Sequence, residues 1–123
     1  MIFTDTLKKN YEFRRLYSKG RSFAGSCVVV YARKGRKGRN RIGFTVSTKL
    51  GCAVVRNRVR RRLKEIYRLH ERDFLSGYEL VFVARGRAVN ARYRYLEQDL
   101  LRSCGKLELL RPAAAPGKEG KSE

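Results

Sequence analysis

The spacing of apolar positions along the chain switches between helical and strand periods, and each switch marks an element. Phe13, Leu16 and Tyr17 recur at i, i+3, i+4, which predicts a first helix opening at Asn10 and closed by Gly20. Asn10 is the expected N-cap, Glu12 suits the positive end of the helix dipole, and Gly20 is expected to adopt the left-handed conformation that ends many helices. Residues 27–32 (CVVVYA) are β-branched and aromatic, as a covered strand should be, and residues 22–25 give a weaker strand signal. Residues 33–41 (RKGRKGRNR) read as a solvated hairpin connection. In residues 42–47, Ile42, Phe44 and Val46 alternate with Gly43, Thr45 and Ser47, a strand with one covered face.

A long helix follows over residues 53–69. Val55, Val59, Leu63, Ile66 and His70 form its apolar stripe, with His70 as the last residue of that stripe. At 100° per residue, Asn57, Arg60, Arg61, Lys64 and Arg68 fall opposite the stripe, and Arg56, Arg58 and Arg62 flank it. Residues 79–84 (ELVFVA) predict a further strand, and residues 93–104 a final helix with Tyr93, Leu96, Leu100 and Leu101 inward. The order is helix, two or three strands, helix, strand, helix. That is an α+β fold: a mixed, mainly antiparallel sheet of about four strands with helices packed on it and one late β-α-β link. Residues 1–111 are expected to form a single domain. Residues 112–123 (PAAAPGKEGKSE) cannot bury a core and are expected to be a disordered tail.

Charge changes the picture from a fold to a partner. The 123 residues carry 30 Lys and Arg against 11 Asp and Glu, a net charge of +19. Between Glu12 and Glu65 there are 52 residues without an acid, and 17 of them are basic. Such a field repels itself unless a polyanion sits against it, with nucleic acid the first candidate and an anionic membrane surface the second. No apolar run reaches the ~18 residues of a membrane span, the basic helix carries no Trp or Phe on its apolar face, and the N-terminal residues lack a signal-peptide core. The expectation is therefore a cytoplasmic protein with no membrane partner. The three cysteines, Cys27, Cys52 and Cys104, form no C-x-x-C pair and read as small buried hydrophobes in a reducing compartment. Asp5, Glu12, Glu65 and Glu79 lie in separate elements, and Glu97 and Asp99 do not share a helix face. No catalytic residue and no protein-borne metal site is expected.

On the long helix, like charges at i, i+4, such as Arg56 with Arg60 and Arg58 with Arg62, destabilise the helix in isolation. An array of RNA phosphates would offset that repulsion, and guanidinium forks grip phosphate bidentately. Asn57 can donate and accept toward sugar or phosphate, or be a plain surface residue. Phe13, Tyr17 and Tyr31 are open to two readings from the residues alone: core, or a stacking platform for single-stranded RNA beside basic side chains.

Three segments together resemble the protein subunit of bacterial ribonuclease P. Residues 48–65 (TKLGCAVVRNRVRRRLKE) are similar to the family's glycine-ended turn leading into an Arg-Asn-Arg helix. The others are the Phe13-x-x-x-Tyr17 pair followed by Gly20, and the strand reaching Tyr31 with Gly43-Phe44-Thr45-Val46-Ser47 (GFTVS) beside it. The resemblance spans roughly residues 8–107. Cys52 stands where asparagine is common in the family, which weakens the helix cap, and Tyr17 where phenylalanine is frequent. The family resemblance implies a ribonucleoprotein that removes the 5′ leader of precursor tRNA, with the RNA subunit carrying the chemistry and the Mg²⁺. It implies docking on that RNA through Arg56, Asn57, Arg58, Arg60, Arg61, Arg62, Lys64 and Arg68. It implies a leader cleft formed by Phe13, Arg14, Tyr17, Tyr31 and Lys49, and a left-handed β-α-β crossover against the usual right-handed rule. It assigns no role to residues 33–41. The free protein is expected to be monomeric. The alternative from another class is a structural RNA binder such as a small ribosomal protein.

Overall fold

In the computed structural model, which describes residues 3–111, eight regular elements follow one another along the chain. They are β1 (Thr4–Thr6), α1 (Asn10–Lys19), β2 (Arg21–Ala24), β3 (Val28–Lys34), β4 (Asn40–Thr45), α2 (Ala53–His70), β5 (Tyr78–Ala84) and α3 (Tyr93–Lys106). The strands form one sheet in the order β1-β4-β5-β3-β2. The β1/β4 and β4/β5 pairings are parallel, and β3/β5 and β2/β3 are antiparallel. The α+β class stands, but the sheet has five strands and divides its pairings equally, where about four, mainly antiparallel, were expected.

The strand that the periodicity did not show is β1, a three-residue Thr-Asp-Thr segment. It is held by buried polar bonds. Thr4 Oγ1 donates to Glu71 Oε2 at 2.7 Å, so the Tyr67 hydroxyl at 2.7 Å must donate to Thr4. Asn40, at the start of β4, donates to the Tyr67 hydroxyl (3.2 Å) and accepts from the Tyr78 amide at the start of β5 (3.0 Å). Pairing these groups removes the penalty of burying them, and it fixes where three strands begin.

Residues 33–41 are not a hairpin. β5 lies between β3 and β4, with Phe82 opposite Val30 on one side and Phe44 on the other. The strand with the longest buried apolar run takes the centre of the sheet, where both faces are covered. Two boundary expectations at α1 also change. Lys9 is the N-cap and Asn10 the first helical residue, because the Glu12 carboxylate accepts from the Lys9 and Lys8 amides at 3.1 and 3.3 Å. Gly20 has φ −81° and ψ 161°, an extended conformation. Glycine is needed there for close approach: a Cβ would lie 2.6 Å from the Leu16 carbonyl oxygen and 3.0 Å from that of Ala32.

The main core lies on one face of the sheet. Val28, Val30, Ala32, Ile42, Leu80, Phe82 and Ala84 pack against Val59, Leu63, Ile66 and Tyr67 of α2 and against Leu96, Leu100 and Cys104 of α3. Val59, Leu63 and Ile66 are the expected stripe; Val55 is half-buried, and buried Tyr67 joins them. His70 closes α2 half-buried, with Nε2 2.7 Å from Glu97 of α3. A smaller cluster of Leu7, Leu16 and Val81, with Phe13, Tyr31 and Val83 against it, fixes α1 to the opposite face. Cys27 and Cys104 are buried as expected, but Cys52 is exposed, because it precedes α2 as its N-cap. The expected tail, 112–123, lies outside the described residues.

Candidate nucleic-acid interface

The strand register arranges the α1 face of the sheet in three rows. At one end Asp5, Arg41, Glu79 and Arg33 stand abreast, in the middle Gly43, Val81, Tyr31 and Ser22, and at the other end Thr45, Val83, Val29 and Ala24. Helix α1 ties itself to the first row by ion pairs, Glu12 with Arg41 and Arg15 with Glu79 at 3.4 Å. Burial works against the Glu12 carboxylate, but hydrogen bonds from the Lys9 and Lys8 amides and from Arg41 outweigh it and hold its pKa below the ordinary glutamate value. Over the second row, Leu16 is buried and Phe13 lies flush on Gly43, where a Cβ would come within 2.4 Å of the ring. The third row keeps Thr45, Val83 and Val29 half-buried and Ala24 exposed, so a strip of sheet surface beside α1 is left incompletely covered.

Two aromatic rings border that strip. Tyr17 is 39% exposed, and its ring meets Tyr31 edge to face, with centroids 4.9 Å apart and planes at 70°. The Tyr17 hydroxyl is 2.9 Å from Thr45 Oγ1, which joins the rings to the open row. Of the five residues expected in a leader cleft, the structure brings Tyr17 and Tyr31 into contact. Phe13 lies one turn before Tyr17, half-buried against Gly43. Arg14 is exposed on α1, and Lys49 is exposed on the short turn Thr48–Leu50 that follows β4. The strip residues absent from sequence reasoning are Thr45, Val29 and Val83. Thr45 had a signal, its place on the polar side of the Ile42-Phe44-Val46 alternation; the other two depend on register.

The eight expected docking residues all lie on α2, where the structure separates them by task. Arg58 Nη2 donates to the Val89 carbonyl at 3.4 Å and Arg62 Nη1 to that of Ala91 at 3.0 Å, so both brace the chain between β5 and α3. Arg56 Nε donates to the Gly51 carbonyl at 3.1 Å, and Arg60 Nη1 to Asn57 Oδ1 at 2.8 Å. Arg68 makes two bonds to Glu65, at 3.0 and 2.6 Å, and these lower the Glu65 pKa. Arg61 and Lys64 are exposed and have no hydrogen bond or ion pair among the described residues. At the start of the helix, the Val55 and Val54 amides, with the Arg56 charge, lower the pKa of the Cys52 thiol. Among the described residues, no group of three or more His, Cys, Asp or Glu is placed to hold a metal ion, and no helix is long and apolar enough to cross a membrane.

A basic helix face and a half-open sheet row bordered by aromatic rings are the features that a small α+β protein uses to bind RNA. The family model described as Ribonuclease P matches residues 3–108. The ribonuclease P protein component of Alkaliphilus metalliredigens (strain QYMF) is 43% identical over 110 residues, covering 89% of this chain and 99% of that protein. That of Natranaerobius thermophilus is 41% identical over 105 residues, covering 85% and 91%. Among solved structures, an RNase P protein from Staphylococcus aureus superposes with a TM-score of 0.75 at 29% identity, covering 86% of this chain and 97% of that one. The RNase P protein from Thermotoga maritima gives 0.73 at 25%, covering 79% and 92%. The chain belongs to the ribonuclease P protein family. It is thereby part of a ribonucleoprotein endoribonuclease, a hydrolase of tRNA 5′ processing, and it works with the ribonuclease P RNA subunit. The resemblance drawn from residues 8–107 holds, and a small ribosomal protein is set aside.

Proposed function

We propose that the two surfaces divide the work of 5′ processing: the exposed side of α2 docks on the RNA subunit, and the half-open strip beside α1 holds the single-stranded leader of precursor tRNA. The observation that carries this reading is the Tyr17–Tyr31 pair, two rings in contact at the edge of an open row on a basic domain. A wholly structural pair would be expected inside the core. Here Tyr17 is more than a third exposed, and the row beside it is half open. Bases stack on such rings whatever their identity, which suits a leader of variable sequence. Arg14 and Lys49 supply charge for its phosphates. On α2, Arg61, Lys64 and Asn57 present donors to the docked RNA, while Arg58 and Arg62 hold the helix against the 85–92 connection. Mg²⁺ belongs to the RNA subunit in this reading. The left-handed sense of the β4-α2-β5 link, the cytoplasmic location and the monomeric free protein are parts of the same reading.

Tyr31→Ala in the assembled holoenzyme tests it. Affinity for precursor tRNA with a leader of several nucleotides should fall roughly five- to a hundredfold, with mature tRNA nearly unaffected. Equal loss for both tRNAs, alongside a collapse of the melting temperature, would assign the rings to the core and overturn the leader site.

A further inference from the structure

The chain between β3 and β4 carries charge that neither surface uses. Lys34, Arg36 and Lys37 are exposed, and Arg39 beside them is paired with Asp5 at 2.6 Å. This connection sits at the end of the sheet away from the half-open strip. Along β3 and β5, the Arg33–Glu79 pair lies four residues from the Val29–Val83 pair, about 13 Å at strand rise. A base stacked on Tyr17 and Tyr31 is therefore out of its reach.

The connection does continue the basic side of α2. Arg61, Lys64 and Arg68 follow one another at helical spacing on α2, Arg72 lies in the short turn Glu71–Asp73 directly after it, and all four are exposed. Arg111 then bridges to the connection. Its Nε donates to the Arg72 carbonyl at 2.8 Å, and its side chain lines a groove of about 430 Å³ with Lys34, Lys37 and Tyr78. The Gly35 amide donates to the Gly77 carbonyl at 2.8 Å, which holds the connection on the chain leaving α2. Among the described residues, no carboxylate lies within ion-pairing distance of Lys34, Arg36, Lys37, Arg72 or Arg111. Lys34, Lys37, Arg72 and Arg111 gather on this side without an ion pair among the described residues, while Arg36, on the same connection, lines a neighbouring pocket with Lys8, Arg39, Arg41, Asp5 and Glu79. Such a concentration of cations repels itself, and a polyanion laid along it removes that cost. A lipid surface fits poorly, because residues 34–39 (KGRKGR) contain no apolar side chain to insert.

We propose that Lys34, Arg36 and Lys37, with Arg72 and Arg111, are a second anchor for the phosphate backbone of the RNA subunit, continuous with the exposed side of α2. The proposal rests on α2 being the docking helix. Lys34→Ser/Arg36→Ser/Lys37→Ser tests it, since these side chains make no contact that folding needs; unchanged melting is the control. Binding to ribonuclease P RNA should weaken about tenfold at low salt, and the slope of log K against log salt should become shallower by about 2–3. The holoenzyme's preference for leader-bearing over mature tRNA should not move. RNA affinity and slope equal to wild type would overturn the anchor, provided that Arg61→Glu, measured beside it, still weakens binding. If Arg61→Glu also binds as wild type, the docking helix itself is misassigned and the anchor falls with it. Loss of binding to phosphatidylglycerol vesicles, with RNA binding intact, would overturn it in favour of a lipid surface.

Discussion

The two faces of the sheet are made by the same strands, one residue apart, and they are built to opposite ends. Toward α2 and α3, Val28, Val30, Ala32, Ile42, Leu80 and Phe82 have no exposed surface, and their partners are apolar. Toward α1, the same strands offer an ionic row at one end, a narrow apolar seat for Leu16 in the middle and a half-open row at the other. Strand alternation makes this separation possible, because each second residue can be chosen without touching its neighbour's face. Stability is concentrated on one side, which frees the other to leave aromatic rings and sheet surface uncovered.

The sharpest way to break that contrast is to truncate two adjacent residues of β5. Phe82 is wholly buried, with ring centroids 5.8 Å from Phe44 and 6.1 Å from Tyr67. Phe82→Ala should cost ~3–5 kcal/mol and lower the melting temperature by roughly 15 °C or more. Val83, next in the chain, faces the half-open row, and Val83→Ala should cost about 1 kcal/mol. Thermal melts of the two variants decide it: similar losses would mean that both faces bear the fold.

The closed face was the more legible in sequence, and the reason is physical. Burial against an apolar helix imposes a period, and Ile42-Phe44-Val46 and Val59-Leu63-Ile66 show theirs plainly. β1 shows none, because Thr4 is held by Glu71 and Tyr67, more than sixty residues away. The place of β5 between β3 and β4 was hidden too, since local pattern favours pairing sequence neighbours and carries no record of a strand inserted from farther along. Gly20 was recognised as special for the wrong cause, as crowding by two carbonyls leaves the same mark as a left-handed turn. At the candidate site, Tyr17 and Tyr31 could be named, but not the open row they border, because register sets it. The arginines of α2 were legible as charge; which of them brace the 85–92 connection and which face outward depends on carbonyls that the sequence does not place.

A smaller effect tests the ionic end of the α1 face. The lowered pKa of Glu12 means that its carboxylate stabilises the fold fully above the ordinary glutamate pKa, and that this contribution disappears as pH falls through the lowered value. Glu12→Gln removes it at every pH. The variant should be less stable near neutrality by about 1 kcal/mol, the size of a charge-assisted hydrogen bond discounted for the water that reaches Arg41. The difference between variant and wild type should shrink as melts are taken from pH 6 toward pH 3. A difference that stays constant over that range would show that the carboxylate's charge does not tie α1 to the sheet.

The smallest effect separates the ring of Tyr17 from its hydroxyl, and so asks what the open end of that face offers RNA. The hydroxyl bonds Thr45 Oγ1 at 2.9 Å in an exposed setting, where water replaces a lost partner readily. The ring, edge-on to Tyr31, is the surface on which a base would stack. Tyr17→Phe should therefore keep leader-dependent affinity within about two- to threefold, a change of about 0.5 kcal/mol. Tyr17→Ala, which removes the stacking surface, should lose at least about fivefold. The two variants are compared by titrating leader-bearing precursor tRNA into the holoenzyme. If phenylalanine loses as much as alanine, the hydroxyl is the recognition group and the strip reads its ligand through hydrogen bonds. If phenylalanine retains affinity and alanine does not, stacking carries the contact, and the phenolic oxygen serves only to fasten α1 to β4.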